Sequence, residues 1–269
     1  MDYTESKDDS ATGGMRQHGT DNRKHMPNRD KPERMIMTTP LIVSREEWLE
    51  ARKRHLEHEK EMTRMRDRLA QERRALPWVR VEKPYVFDTP EGERSLSDLF
   101  DGRSQLIIHH FMFHPDWDAG CKSCSFDADH AEGALVHLEN HDVSYVRVCR
   151  APLAKIMAYK KRMGWRARWV SSFGSDFNYD YHVSFTPEDL ATGAVFYNYR
   201  QEEGYDELPG LSVFFKAEDG TVYHTYSSYA RGNEEVMGAY MYLDITPKGR
   251  NESKIMDWIR RHDEYPTAQ

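Results

Sequence analysis

Two cysteines three residues apart are the side chains of this sequence best suited to chemistry. Cys121 and Cys124 form a C-x-x-C motif, and Cys149 is the third cysteine of the chain. Thiols at this spacing can exchange disulfides, supply half of a metal site, or lie close together without reacting. A structural zinc site needs four ligands at recognisable spacing, and the sequence has no second C-x-x-C motif. Disulfide exchange is therefore the main hypothesis, with inert thiols and a metal site as alternatives.

The segments around the motif alternate between strand and helix patterns. The cysteines follow an apolar, β-prone run, SQLIIHHFMF, which predicts a buried strand. They precede a helical pattern, SFDADHAEGALVHLENH, and a second buried strand, DVSYVRVCRA. The next helix begins at Pro152 and ends at Gly164, the usual asymmetry of helix ends. This order predicts a parallel βαβ unit.

The rest of the chain supplies an extension at one end and closing elements at the other. Residues 1–37 are too polar to bury a core and predict a disordered tail. Residues 38–77 predict a helical extension that starts with a capping box at Ser44 and Glu47 and stops at Pro77. We expect this helix to dock on its own domain, with a dimerising coiled coil as the alternative. Residues 78–269 form the α/β domain, which closes with a hairpin, LSVFFKAEDGTVYHTYSSY, and helices at NEEVMGAYMYLDI and ESKIMDWIRRHDEY.

Composition narrows the class of protein. The net charge of −7 argues against a nucleic-acid partner, which normally requires a basic face. The mean hydropathy of −0.86 and the lack of a long apolar run argue against a membrane protein. The start of the chain has no basic-then-apolar signal pattern, and three cysteines make an odd count. We therefore expect a cytoplasmic protein, where a C-x-x-C pair is more often catalytic or metal-binding than structural.

The predicted helix start gives the two cysteines different roles. At a helix N-terminus, unpaired backbone N–H groups and the helix dipole favour a thiolate, so Cys121 is the candidate nucleophile. Cys124, one turn later, is positioned to resolve the mixed disulfide that Cys121 forms with a substrate. Lys122 favours the thiolate, whereas three acidic residues oppose it: Asp116, Asp118 and Asp127. We expect the pKa of Cys121 to be less depressed than in the most oxidising dithiol proteins.

Several segments together resemble a known family. HHFMFHPDWDAGCKSCSF, APLAKIMAYKKRMGW, WVSSFGSDFNYDYHVSF, LSVFFKAEDGTVYHTYSSYARG and YLDITPKGR are similar to an uncharacterised bacterial family of domains of unknown function. Its members are labelled predicted dithiol–disulfide oxidoreductases. The resemblance runs from about Leu41 to Tyr265. It implies a thioredoxin-like fold, with a central mixed sheet flanked by helices, and a protein or small-molecule thiol or disulfide as substrate. Redox turnover through the two cysteines needs no organic cofactor, and we expect no metal.

The resemblance also suggests the residues around the dithiol. His110 aligns with the position at which thioredoxins bury an acid that shuttles protons to the resolving cysteine, and histidine can do this near neutral pH. Thioredoxins have tryptophan directly before the first cysteine, where this chain has Gly120, and Trp117 lies upstream as a candidate wall of the substrate groove. The cis-proline turn of the fold aligns imperfectly with Pro209, so Gly210 is a second candidate for that groove position.

Two other functions remain open on the same fold. One is a binding protein whose cysteines are not catalytic. The other is a peroxiredoxin-like thiol peroxidase, although Asp118 occupies the position where the peroxidase signature has threonine. A readily reversible disulfide would favour the oxidoreductase, and rapid oxidation of Cys121 by peroxide would favour the peroxidase.

Overall fold

The strands form where the sequence alternates or concentrates apolar residues. The computed structural model of the chain describes residues 40–266, so the predicted tail at residues 1–37 lies outside the described residues. The strands are β1 (Val79–Arg80), β2 (Val86–Thr89), β3 (Gly92–Ser95), β4 (Gln105–His110), β5 (Val143–Cys149), β6 (Arg168–Ser171), β7 (Val195–Tyr197), β8 (Arg200–Glu202), β9 (Gly210–Lys216) and β10 (Val222–Tyr229). The α-helices are α1 (Arg45–Arg74), α2 (Lys122–Glu132), α3 (Leu135–Asn140), α4 (Leu153–Met163), α5 (Phe177–Asp180), α6 (Pro187–Ala191) and α7 (Gly238–Asp244).

Eight strands make one mixed sheet in the order β1-β10-β9-β4-β5-β6-β2-β3. The three central strands β4, β5 and β6 run parallel, whereas β9 pairs antiparallel with β4 and β10 antiparallel with β9. The C-x-x-C motif follows β4, and the predicted βαβ unit and closing hairpin are both present. Strands β5-β4-β9-β10, with helices after β4, β5 and β10, have the arrangement of a thioredoxin-like fold. The predicted fold class is therefore confirmed.

The two faces of the sheet carry different cores. Every second residue of a strand points to the same face, so Leu106 and Ile108 of β4 pack with Val146 and Val148 of β5 in one cluster. That cluster also contains residues of α5 and of a 3-10 turn, Ser97–Phe100. On the other face, the cluster includes Cys149, Trp169 and residues of α2 and α4. The dithiol lies on this second face.

The N-terminal helix differs from its predicted packing. The helix itself is present, and α1 begins at Arg45 directly after Ser44. However, none of its residues is buried, so it does not dock along its own domain as expected. Its contact with the sheet is at its last turn, where the Arg73 guanidinium lies 4.7 Å from the centre of the Tyr226 ring.

The end of the chain also differs from prediction. The segment ESKIMDWIRRHDEY contains turns and a single 3-10 turn, His262–Glu264, instead of a helix. Met256 has a φ of 63°, which interrupts a right-handed helix. The Asp257 carboxylate accepts hydrogen bonds from the backbone N–H groups of Ser253 and Lys254, at 3.1 and 3.0 Å. Local side-chain bonds therefore replace the helical ladder that the sequence pattern predicted.

Candidate active site

Cys121 caps α2 and remains partly accessible. Its backbone is extended, with φ −56° and ψ 140°, and the helix begins at the next residue, Lys122. The Cys121 N–H donates to the Met112 carbonyl (3.0 Å), and the Ser125 hydroxyl donates to the Cys121 carbonyl (2.7 Å). These bonds fix the first turn of the helix. Cys121 is half-buried, while Cys124 is 2% exposed, so the first cysteine is the more accessible of the two.

The local hydrogen bonds shift the pKa values of the two thiols in opposite directions. The pKa of Cys121 is lowered to about 6, chiefly because the Cys124 thiol donates to it, with further bonds from Ser123 and the backbone N–H groups of both residues. The pKa of Cys124 is raised well above its usual range by that same bond and by burial. A value of about 6 is well above the ~3.5 of the most oxidising dithiol proteins, which is the direction expected from the sequence.

The loop before the dithiol has no room for the tryptophan found in thioredoxins. A Cβ on Gly120 would overlap the Phe111 ring and lie 2.9 Å from Cε1 of Tyr159, and both rings are buried. The Gly120 carbonyl accepts hydrogen bonds from Nη2 and Nε of Arg261, at 2.6 and 3.1 Å. Lys155 anchors the same loop by donating to the Trp117 carbonyl at 2.9 Å. Contacts from distant elements therefore position Cys121.

A buried carboxyl lies behind the dithiol. Asp127 is on α2, three residues after Cys124, and is 3% exposed. Burial raises the pKa of Asp127 to about 7, although the nearby Arg147 opposes this shift. Nδ1 of His109 lies 3.9 Å from the Asp127 carboxylate, which is too long for a hydrogen bond. Burial and Arg147 lower the pKa of His109 well below its usual value, so this histidine is neutral.

Arg147 completes this buried polar group. Its side chain is fully buried, and its Nη1 lies 2.7 Å from a carboxylate oxygen of Glu132, the last residue of α2. Its Nη2 donates to the Ala128 carbonyl at 2.6 Å. The guanidinium lies 5.2 and 5.4 Å from the ring centres of Trp165 and Trp169. Arg147 thus holds α2 against β5 and places one fixed positive charge near Asp127.

The structure places His110 on the face of the sheet opposite the dithiol. Its Nε2 is 2.8 Å from the Ser212 hydroxyl, and its ring stacks with Phe177 and Tyr181. Burial lowers the pKa of His110 to about 3. This placement contradicts the predicted proton-shuttle role. Successive residues of β4 point to opposite faces, and it is His109 that faces α2.

The predicted groove residues lie in two places. Trp117 is half-buried and packs against the cluster that includes Cys121. Pro209 immediately precedes β9, where Gly210 pairs with His110. The Pro209 carbonyl accepts a 2.7 Å hydrogen bond from the Tyr197 hydroxyl. The structure thus brings Trp117 beside the dithiol and links Pro209 to Tyr197.

Sequence reasoning missed three residues of this site, His109, Tyr197 and Arg261, and considered Asp127 only as a charge that opposes the thiolate. Burial raises the pKa of Tyr197, and its hydroxyl donates to the carbonyl of Pro209, a predicted groove residue, at 2.7 Å. Of these residues, only Asp127 could have been found from the sequence. It follows Cys124 by three residues, so on a helix the two side chains lie one turn apart on the same face. Arg261 is 141 residues from Gly120 in sequence, and nothing local connects them.

The described part of the chain carries neither a metal cluster nor a membrane span. Residues 40–266 contain no group of three or more His, Cys, Asp and Glu side chains arranged to hold a metal ion. Within the same residues, no helix is long and apolar enough to cross a membrane. A surface cleft of about 350 Å³ is lined by residues 80–85, 95–97 and 219–222. None of these is a residue of the candidate active site.

Comparison with known proteins gives a family but no activity. No curated protein matches this chain. Among solved structures, peroxidoxin BcpB from Mycobacterium tuberculosis is 11% identical, with a TM-score of 0.41 over 61% of this chain and 94% of that one. A cysteine-to-serine mutant of Xanthomonas campestris peroxiredoxin Q is 14% identical, with a TM-score of 0.38 over 60% and 91% of the two chains. At this level of similarity, no property of those proteins transfers to this chain.

The family is clear from the sequence itself. The family model described as "Bacterial protein of unknown function (DUF899)" matches residues 37–265. The match covers α1 as well as the whole sheet. The resemblance to an uncharacterised bacterial family is thereby confirmed, and this chain belongs to the DUF899 family of bacterial proteins.

Proposed function

We propose that this protein is a thiol–disulfide oxidoreductase in which Cys121 is the nucleophile and Cys124 the resolving thiol. The observation that supports the proposal is that the two cysteines differ in exposure and in pKa. Cys121 is half-buried at a helix N-terminus and has a pKa of about 6, whereas Cys124 is buried and has a raised pKa. Near neutral pH the first is a thiolate, and only a thiolate attacks disulfides. The second stays a thiol until the first has reacted.

Substrate reduction proceeds in two exchanges. The Cys121 thiolate attacks one sulfur of a substrate disulfide, the substrate S–S bond breaks, and one substrate thiolate leaves. Once Cys121 is bonded to the other substrate sulfur, it no longer accepts a hydrogen bond as a thiolate. Cys124 then loses its proton and attacks the Cys121 sulfur. This step forms the Cys121–Cys124 disulfide and releases the second substrate thiolate, so two electrons pass to the substrate.

Asp127 is the group we assign to accept the Cys124 proton, directly or through one water. It lies one turn from Cys124, and its negative charge raises the pKa of that thiol. Because burial brings the pKa of Asp127 to about 7, the carboxylate is a useful base near neutral pH. The lower pKa of the neutral His109 makes the imidazole a poorer proton acceptor at this site.

Turnover of a model disulfide tests the proposal. Wild-type protein, Cys121→Ser and Cys149→Ser are incubated with hydroxyethyl disulfide and excess dithiothreitol, and loss of the disulfide is measured. Dependence on Cys121, with retention of activity in Cys149→Ser, supports the proposal. No acceleration above dithiothreitol alone contradicts it. Faster consumption of hydrogen peroxide than of any disulfide would indicate a thiol peroxidase instead.

A further inference from the structure

Helix α1 has an apolar stripe that the described part of the chain leaves exposed. Trp48, His55, Met62 and Leu69 recur every seven residues, and Leu76 follows at the same spacing just beyond the helix. Seven residues are almost two full turns, so these positions drift by only about 20° per repeat. The apolar members of the set are between 43% and 58% exposed. From Trp48 to Leu69 the stripe therefore runs along about 30 Å of the helix.

The remaining surface of α1 is stabilised within the helix. Lys53 pairs with Glu50 and Lys60 with Glu57, both at 2.8 Å and three residues apart. Pairs of this kind stabilise exposed helices by a few tenths of a kcal/mol each. They account for a solvated polar face. They do not account for a Trp–Met–Leu stripe, because most helices in proteins owe their stability to an apolar face that is packed.

The charges of α1 favour a second copy of the same helix in antiparallel orientation. Residues 45–59 contain five acidic and four basic side chains, whereas residues 60–74 contain three acidic and six basic. The first turn carries Glu46 and Glu47 and the last turn Arg73 and Arg74. An antiparallel pair places each acidic end beside a basic end, whereas a parallel pair places like ends together. A purely cationic polar face, as expected for a membrane-surface helix, is not what this segment has.

We infer that α1 is a homodimerisation helix that packs antiparallel against α1 of a second chain through the stripe Trp48–His55–Met62–Leu69. Met62 lies midway between Trp48 and Leu76, so the two-fold axis passes near Met62. His55 of one chain then faces Leu69 of the other. This self-complementary geometry matches the rule that a two-fold interface uses one patch twice.

The mass of the full chain in solution tests the dimer. Sedimentation equilibrium is measured for wild-type protein and for Met62→Glu, Leu69→Glu and Gln71→Glu. Gln71 is nine residues after Met62 and thus on the opposite side of the helix, which makes it the matched control. We expect wild type and Gln71→Glu at twice the 31.7 kDa of one chain, and a twofold loss of mass in the two stripe variants. Monomeric wild type, or stripe variants that remain dimeric, overturn the inference.

Two further measurements check that the variants fold and that the two helices are antiparallel. Circular dichroism of the stripe variants, in which unfolding would appear as lost ellipticity, checks that they fold. Orientation is tested by disulfide trapping in a Cys121→Ser, Cys124→Ser background, with His55→Cys and Leu69→Cys carried on separate chains. An antiparallel pair cross-links mainly when the two variants are mixed. Efficient cross-linking of each variant with itself overturns the antiparallel arrangement.

Discussion

Asp127 lies one helical turn after Cys124 on α2, and burial brings the pKa of its carboxyl to about 7. A carboxyl that is only 3% exposed is costly to keep charged. The fixed charge of the buried Arg147 offsets part of this cost. The relationship gives Cys124, the proposed resolving cysteine, a nearby group that can take up its proton at physiological pH.

Removing this carboxyl should slow the resolving step. In Asp127→Asn, we expect intramolecular disulfide formation from a Cys121 mixed disulfide to slow by about tenfold or more. In the wild type, the rate should rise as the pH increases through about 7, because only the carboxylate accepts a proton. In the variant, the rate should not rise as the pH increases through about 7. Stopped-flow release of the substrate thiol measures both, with Asp118→Asn, an exposed acid in the loop before the dithiol, as the control.

The same carboxyl should make stability depend on pH. Its folded pKa is raised, so the folded protein holds this proton more tightly than the unfolded chain, and stability falls as the pH rises from about 4 to about 7. The contribution is at most about 4 kcal/mol for a shift of this size. Urea unfolding at pH 5 and pH 7.5 should show a smaller decrease for Asp127→Asn than for wild type. Equal decreases in the two proteins would contradict the buried, titrating carboxyl.

Cys121 should titrate near pH 6 and depend on its neighbour. Rates of alkylation by iodoacetamide, measured from pH 4 to pH 9, should have a midpoint at about 6 in wild type. Cys124→Ala removes the donor that contributes most, so the midpoint should move up by about one unit or more. Cys124→Ser keeps a donor and should shift less. A wild-type midpoint above 8 would mean that the helix start does not stabilise the thiolate.

Gly120 should tolerate no side chain. In Gly120→Ala, the new Cβ meets the buried rings of Phe111 and Tyr159, and we expect a loss of about 1–3 kcal/mol of stability. Gly133→Ala is the matched control, because a Cβ there meets nothing within 4 Å and its φ of −72° suits alanine. Urea unfolding compares the two. A Gly120→Ala variant with the same free energy of unfolding as wild type would contradict the packing of the loop before the dithiol.

Local patterns predicted the elements, and tertiary contacts set the details of the site. The spacing of apolar residues and the nearby turn residues predicted three elements correctly. These are the strand before the dithiol, the helix that Cys121 caps and the hairpin through Gly220. The choice between His109 and His110 could not be made this way, because in a strand buried on both faces the pattern does not mark which face a residue takes.

The end of the chain shows the same limit. Its sequence has helical spacing, yet Arg261 is held by the Gly120 carbonyl, and Arg162 pairs with Asp263 at 2.7 Å. These partners lie about 100 residues or more away in sequence. The exposure of the stripe on α1 also depends on tertiary structure, because it became evident only once the helix was seen to bury none of its residues.

The most direct test of the dithiol is the reduction potential of the Cys121–Cys124 pair. The protein is equilibrated with dithiothreitol or glutathione redox buffers, and free thiols are counted after acid quenching. We predict one two-electron transition between about −270 and −120 mV, the range of working dithiol oxidoreductases. Thiols that stay free in oxidising buffer, or a disulfide that forms only after unfolding, would contradict the proposed function.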